Sequence, residues 1–119
     1  MKTIIILLCL GLMGCATTPK ESKSTYQAAK RLQSVVEKNK TANLNYISPK
    51  ELNNIISIFD EAIKKNPNYA GVYYYRAIAY FYKKDYNKSW QDVYMAESLG
   101  CTFKGSFIHS LRRATGVEK

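Results

Sequence analysis

The chain has 119 residues and a formal net charge of +9. That length suits one small domain, which buries about two-thirds of its unfolded surface, so a core is within reach but a large, elaborate active site is not. The excess of lysine and arginine favours anionic surfaces, although the lysines are scattered and read most simply as a solvated exterior.

The first 14 residues read MKTIIILLCLGLMG, with a positive start at Lys2 and an apolar run of ten residues from Ile4 to Met13. A helix needs about 20 residues to cross a bilayer, so this run has the length of a signal-peptide apolar region. It ends in Leu12-Met13-Gly14-Cys15, which resembles the lipobox of bacterial lipoproteins, with Met13 a less usual occupant of its place. The resemblance implies cleavage after Gly14 and a diacylglyceryl group on the Cys15 thiol, and two or more acyl chains hold a protein on a membrane durably. Ala16 stands where an aspartate typically retains lipoproteins in the inner membrane of Gram-negative bacteria. The resemblance therefore implies the outer membrane in such a cell, and the outer face of the only membrane in a Gram-positive one. Residues 15–23 then form the lipidated cysteine and a polar tether, and the eight residues ATTPKESK reach at most about 26–29 Å. With Cys9 removed and Cys15 lipidated, no intramolecular disulfide is expected, and Cys101 reads as a small buried residue.

The domain proper is expected over 24–119. Ala28, Leu32, Val35 and Val36 recur at helical spacing and predict a first amphipathic helix from Ser24 to about Asn39, followed by the loop KTANLNYI. Ser48-Pro49-Lys50-Glu51 is a strong helix start, with Ser48 as cap, Pro49 in the first turn and Glu51 closing a capping box. Leu52, Ile55, Ile56, Phe59 and Ile63 make its apolar face, and Asn66-Pro67-Asn68 stops it. A third helix is expected over 70–83, a tight turn at Lys84-Asp85, and a fourth helix over 86–99 closed by Gly100. Phe103, Phe107, Ile108 and Leu111 suit a short last helix before Gly116. No strand-like alternation of useful length occurs, and short connections favour antiparallel neighbours, so the expected fold is all-α.

Residues 70–101 resemble one tetratricopeptide repeat (TPR), a helix pair with a period of about 34 residues. Tyr73, the pair Arg76-Ala77, and Tyr80 take the places of the family's first-helix signature. Ser89, Val93 and Ala96 take those of its second helix, and Cys101 replaces its closing proline. Two helices approach closely only where small residues meet large ones. Ala77, Ser89 and Ala96 are the small partners here, with Tyr73, Tyr80 and Trp90 available to fill gaps. Ile55, Phe59, Ala62 and Pro67 look like the second half of a preceding repeat, whose first half departs from the pattern. Cys101 to Arg113 resembles the extra helix that closes such arrays. The resemblance implies a short TPR-like α-solenoid of antiparallel helix pairs with a C-terminal capping helix. About three repeats are usually needed for stability, so self-association through an open end is an expectation too.

In this family ligands lie in the groove lined by the first helix of each pair. Tyr74, Ile78 and Tyr82 follow at i, i+4 and i+8 on one face. With Tyr75 and Phe81 they are the candidate protein-binding groove, tyrosine offering apolar area, a hydroxyl and few rotors. Packing against the first or last helix is the competing use of the same residues. The lysine and asparagine pattern that clamps a C-terminal carboxylate in some members is missing, so that mode is not expected. His109 is the single histidine and reads as a surface residue. No Cys/His metal spacing and no glycine-rich phosphate loop occur in the mature chain, and Asp60 with Glu61 and Asp85 with Asp92 read as solvated surface carboxylates. The expectation is a protein that is not an enzyme and takes no cofactor, metal or nucleic acid. Three roles stay open on the sequence: a membrane-anchored adaptor for an envelope protein or complex, a structural lipoprotein associating with acidic envelope polymer or lipid, and a small immunity or exclusion lipoprotein.

Overall fold

The computed structural model describes residues 22–39 and 47–116. The leader, Cys15, most of the tether and most of the loop before Ser48 lie outside the described residues. Five helices and no strand are found among those described: α1 (Lys23–Asn39), α2 (Pro49–Lys65), α3 (Ala70–Tyr82), α4 (Tyr86–Ser98) and α5 (Gly105–Thr115). None is long and apolar enough to cross a membrane.

Each boundary has a local cause. α1 begins one residue before the expected Ser24, because the Ser22 hydroxyl accepts from the Thr25 backbone N–H at 3.2 Å. At α2 the Ser48 hydroxyl accepts from the Glu51 N–H at 3.1 Å, and Pro49 opens the helix without losing a needed donor. The second half of the expected capping box is not made: the Glu51 carboxylate turns to Arg31 on α1, 2.6 Å away. An available guanidinium outcompetes a backbone donor for an ionised oxygen.

α3 and α4 end in the same way. The N–H of Cys101 bonds to the Ala96 carbonyl and that of Gly100 to Glu97, with Gly100 at φ +98°. The N–H of Asp85 bonds to Tyr80 and that of Lys84 to Phe81, with Lys84 at φ +66°. Both are Schellman motifs, in which the left-handed residue frees the chain to reverse. Glycine adopts that conformation without strain, whereas in a lysine the Cβ costs about 1–2 kcal/mol.

α3 is the hub. Its Val72, Ala79 and Tyr80 pack with Leu32 and Val35 of α1 and Leu52, Ile55 and Phe59 of α2. Its Ala70 and Tyr73 pack with Ala96 and Cys101 at one end, and its Ala77 with Val93 and Leu111 further along. A helix met on so many sides is apolar nearly all round, as its sequence AGVYYYRAIAYFY is. The contact between α3 and α4 is close where small residues meet: Ala77, Ser89 and Ala96 are each 0% exposed. There the buried Ser89 hydroxyl donates to the Ala77 carbonyl at 2.7 Å, which satisfies it without solvent.

Three sequence expectations are corrected. Phe103 precedes α5 rather than lying within it. Cys101 is buried as expected, but it is disulfide-bonded, against the expectation that no intramolecular disulfide forms; its partner lies outside the described residues. Asp92 is not a solvated carboxylate: its side chain is 5% exposed and faces Arg76 of α3.

Arg76 ties three helices together. Its Nε and one terminal nitrogen donate to the two Asp92 oxygens on α4, both at 2.8 Å, and its other terminal nitrogen donates to Asp60 on α2 at 2.8 Å. The rings of Tyr73 and Tyr80 flank the guanidinium at 5.6 and 5.7 Å. Burial works against the Arg76 charge, but the Asp92 and Asp60 carboxylates more than reverse it, so the group stays fully protonated. For Asp92, burial pushes the carboxyl up and Arg76 pulls it down, burial prevailing. The fork fixes the register of α3 against α4, and removing either partner alone would leave a buried charge unpaired.

Removing one partner strands a charge. Asp92→Ala is expected to cost about 2–4 kcal/mol by chemical denaturation. Asp60, with its side chain 45% exposed, is expected to cost below about 1 kcal/mol on the same change. Arg76→Leu with Asp92→Leu should cost clearly less than the two single changes added. An additive result would show that the two residues act separately.

Candidate functional site

The five groove candidates all lie on α3, and the structure divides them. Ile78 is 9% exposed and packs in the core with residues of α1 and α2, with Phe107 against the same cluster. Tyr74 is half-buried and stacks on Phe103 with ring centroids 4.5 Å apart and planes 18° apart. Burial pushes its hydroxyl above the usual phenol range. Phe81 is half-buried against Phe107, 5.4 Å away, and Tyr86, 5.8 Å away. Tyr75 sits between Phe59, at 6.4 Å, and Tyr74, at 5.3 Å, while Tyr82 meets Phe81 edge-on at 5.7 Å.

These contacts make one connected aromatic run, Phe59–Tyr75–Tyr74–Phe103–Phe107–Phe81, which reaches Tyr82 and Tyr86 at its far end. Its middle belongs to the segment leading into α5 and to α5 itself. The cap therefore fills much of the α3 face, the competing use that the sequence left open for these residues, and it leaves the partly exposed sides of Tyr75 and Tyr82 toward solvent. A partner would meet an aromatic edge rather than a deep trough. The arrangement offers ring faces and phenol hydroxyls, groups that serve recognition surfaces.

The outer face of α5 is polar: Ser106, His109, Ser110, Arg112 and Arg113 are all exposed. Most of the outward residues of α1 are polar too, among them Lys23, Gln27, Lys30 and Gln33. The described ends of the array thus present no broad apolar face for end-to-end stacking.

Two features escaped the sequence reading. On α4, Trp90 and Tyr94 stack at 5.6 Å, the Trp90 indole N–H donates to the Thr115 hydroxyl at 3.3 Å, and Tyr94 and Met95 are 51% and 44% exposed. The i, i+4 spacing of Trp90 and Tyr94 was the available signal. The Asp60–Arg76–Asp92 clasp also escaped, although its members are evenly spaced, 16 residues apart on each side.

With this geometry in hand, residues 58–91 match the family model described as tetratricopeptide repeat. The match runs from the second half of α2 through all of α3 into the first half of α4, one repeat period. Comparison with curated proteins and with solved structures found no match. The all-helical architecture and the matched repeat make the chain a TPR-like α-solenoid, and repeats of this kind generally mediate protein–protein interaction.

The Tyr74–Phe103 stack generates a test of how the cap is held. A double-mutant cycle with Tyr74→Ala and Phe103→Ala, followed by thermal or urea unfolding, should give a coupling of about 1 kcal/mol. Zero coupling would mean that the cap does not rest on the aromatic face in solution.

Proposed function

We propose that this protein is an envelope lipoprotein, anchored through lipid on Cys15, whose helical domain serves as an adaptor that binds another envelope protein. The observation that carries the adaptor part is the half-exposed aromatic edge of α3, with Tyr75 and Tyr82 held on a rigid repeat by rings behind them. A recognition surface gains when its aromatic anchors are already fixed, because little side-chain freedom is lost on binding. The anchor part rests on the lipobox resemblance at Leu12 to Cys15 and the polar stretch that follows it. In a Gram-negative cell, Ala16 directs the reading to the outer membrane.

The anchor is tested by intact mass and fatty-acid labelling in the native host. A mass that carries acyl chains, survives reductant and is lost in Cys15→Ala is the expected result. An unlipidated chain, with the same mass and no fatty-acid label in parent and variant alike, would remove the anchor.

The adaptor is tested by crosslinking and affinity capture from native membranes, comparing the parent with Tyr75→Ala/Tyr82→Ala. One dominant partner, retained in high salt and reduced at least about tenfold in the variant, is expected, since two aromatic anchors at about 1–2 kcal/mol each suffice for that. Capture unchanged by the double variant would remove the α3 edge from the account.

A further inference from the structure

Where α3 turns into α4, the surface holds a shallow recess of about 550 Å³ lined by Lys83, Lys84, Asp85, Tyr86, Asn87 and Thr115. Thr115 is the last residue of α5, so the exposed Arg112 and Arg113 in that helix's last turn stand at the same end of the domain. Lys83, Lys84, Arg112 and Arg113 make no ion pair among the described residues. The carboxylate in the recess is engaged: Asp85 caps α4 through the Lys88 N–H and lies 3.8 Å from the Lys88 ammonium. Two lysines thus line a recess whose own acid is already occupied, and two arginines stand within three residues of Thr115 on its far wall.

A solvated basic surface and compensation of the α5 C-terminal dipole both account for Arg112 and Arg113. Neither requires a lysine, in place of glycine, at the left-handed position 84. The chain closes α4 with Gly100 and closes α3, through the same pair of hydrogen bonds, with a lysine held at φ +66°. A strained lysine stands where the unstrained glycine serves sixteen positions later, which sets a second cation beside Lys83 at a conformational cost.

We propose that this end of the domain, built by Lys83, Lys84, Arg112 and Arg113 around the α3–α4 turn, docks an acidic protein segment. The chain enters the domain at Ser22, and a cleft lined by Ser22, Thr25, Lys65, Asn66 and Tyr69 shows that α1 starts where α2 ends. The helices reverse at each connection, so the recess lies at the opposite end, about 25 Å away along the 17 residues of α1. On the anchor reading above, it faces away from the bilayer. Tyr86, half-buried in the recess lining, gives apolar contact that a segment mixing carboxylates with aliphatic side chains would use.

The test is fluorescence anisotropy of the purified chain with a labelled peptide of alternating glutamate and leucine, against its glutamine-for-glutamate analogue. Phosphatidylglycerol-containing vesicles form a second arm. Lys83→Gln/Lys84→Gly and Arg112→Gln/Arg113→Gln should each weaken peptide binding about three- to tenfold. Lys23→Gln/Lys30→Gln, which removes the same charge from α1, should change it less than about twofold. Lys84→Gly alone should weaken binding while leaving the melting temperature equal or higher, which separates recognition from stability. Equal loss in the α1 control, equal binding of the glutamine peptide, or tighter binding to vesicles lost in the same variants would each overturn the proposal. The measurement uses peptide and purified protein, so its failure leaves the α3 edge standing, and failure of the capture leaves this site standing.

Discussion

Arg76 carries a permanent charge into the middle of an otherwise apolar helix, and the docking of three helices follows from where that charge finds partners. The fork to Asp92 fixes α4 against α3, and the third bond, to Asp60, draws in α2. Apolar packing around Ala77 and Val93 would tolerate small slides of one helix along the other, because methyl groups have no direction. Two hydrogen bonds in a planar fork do not tolerate them. The tyrosine rings on either side of the guanidinium shield the pair and are themselves set by it. Because α3 is oriented in this way, the opposite side of the same helix turns Tyr74, Tyr75 and Tyr82 toward the cap and solvent.

The regular part of this fold was legible from residues alone. Capping at Ser48, the stop at Asn66-Pro67-Asn68 and the glycine closure at Gly100 are local devices, and the helices they bound fall within a residue or two of expectation. The close approach at Ala77, Ser89 and Ala96 followed from side-chain size. What stayed hidden depends on distance through space. Glu51 had two possible partners, and only the fold brings Arg31 within 2.6 Å. Asp92 looked like a surface acid because nothing in its neighbours along the chain announces a buried guanidinium. Phe103 was read as part of a helix, although its function is to leave the helix and lie on Tyr74. Whether the groove stands open or is packed is undecided in the sequence for the same reason: helical spacing tells which residues share a face, and not which other element covers it.

The aromatic edge and the basic end lie next to each other along the chain, since Tyr82 is followed at once by Lys83 and Lys84. The backbone reversal that ends α3 is also what projects the two lysines. The aromatic edge thus runs along the central helix from Tyr75 to Tyr82 and meets the basic turn at the end away from where the chain enters. A small domain has little surface to specialise, and carrying the aromatic edge and the basic turn on one continuous stretch of backbone holds them in fixed relation to each other.

The most direct measurement of the central claim, that α3 presents its Tyr75–Tyr82 edge to a partner, is photo-crosslinking in cells from a benzophenone amino acid placed in turn at Tyr82 and at Tyr94. Both positions are accessible enough to accept the probe, and they lie on different helices. The account predicts a discrete crosslinked protein from position 82 and none from position 94. A discrete product from 94 alone would move the binding surface to the Trp90–Tyr94 face of α4 and contradict it.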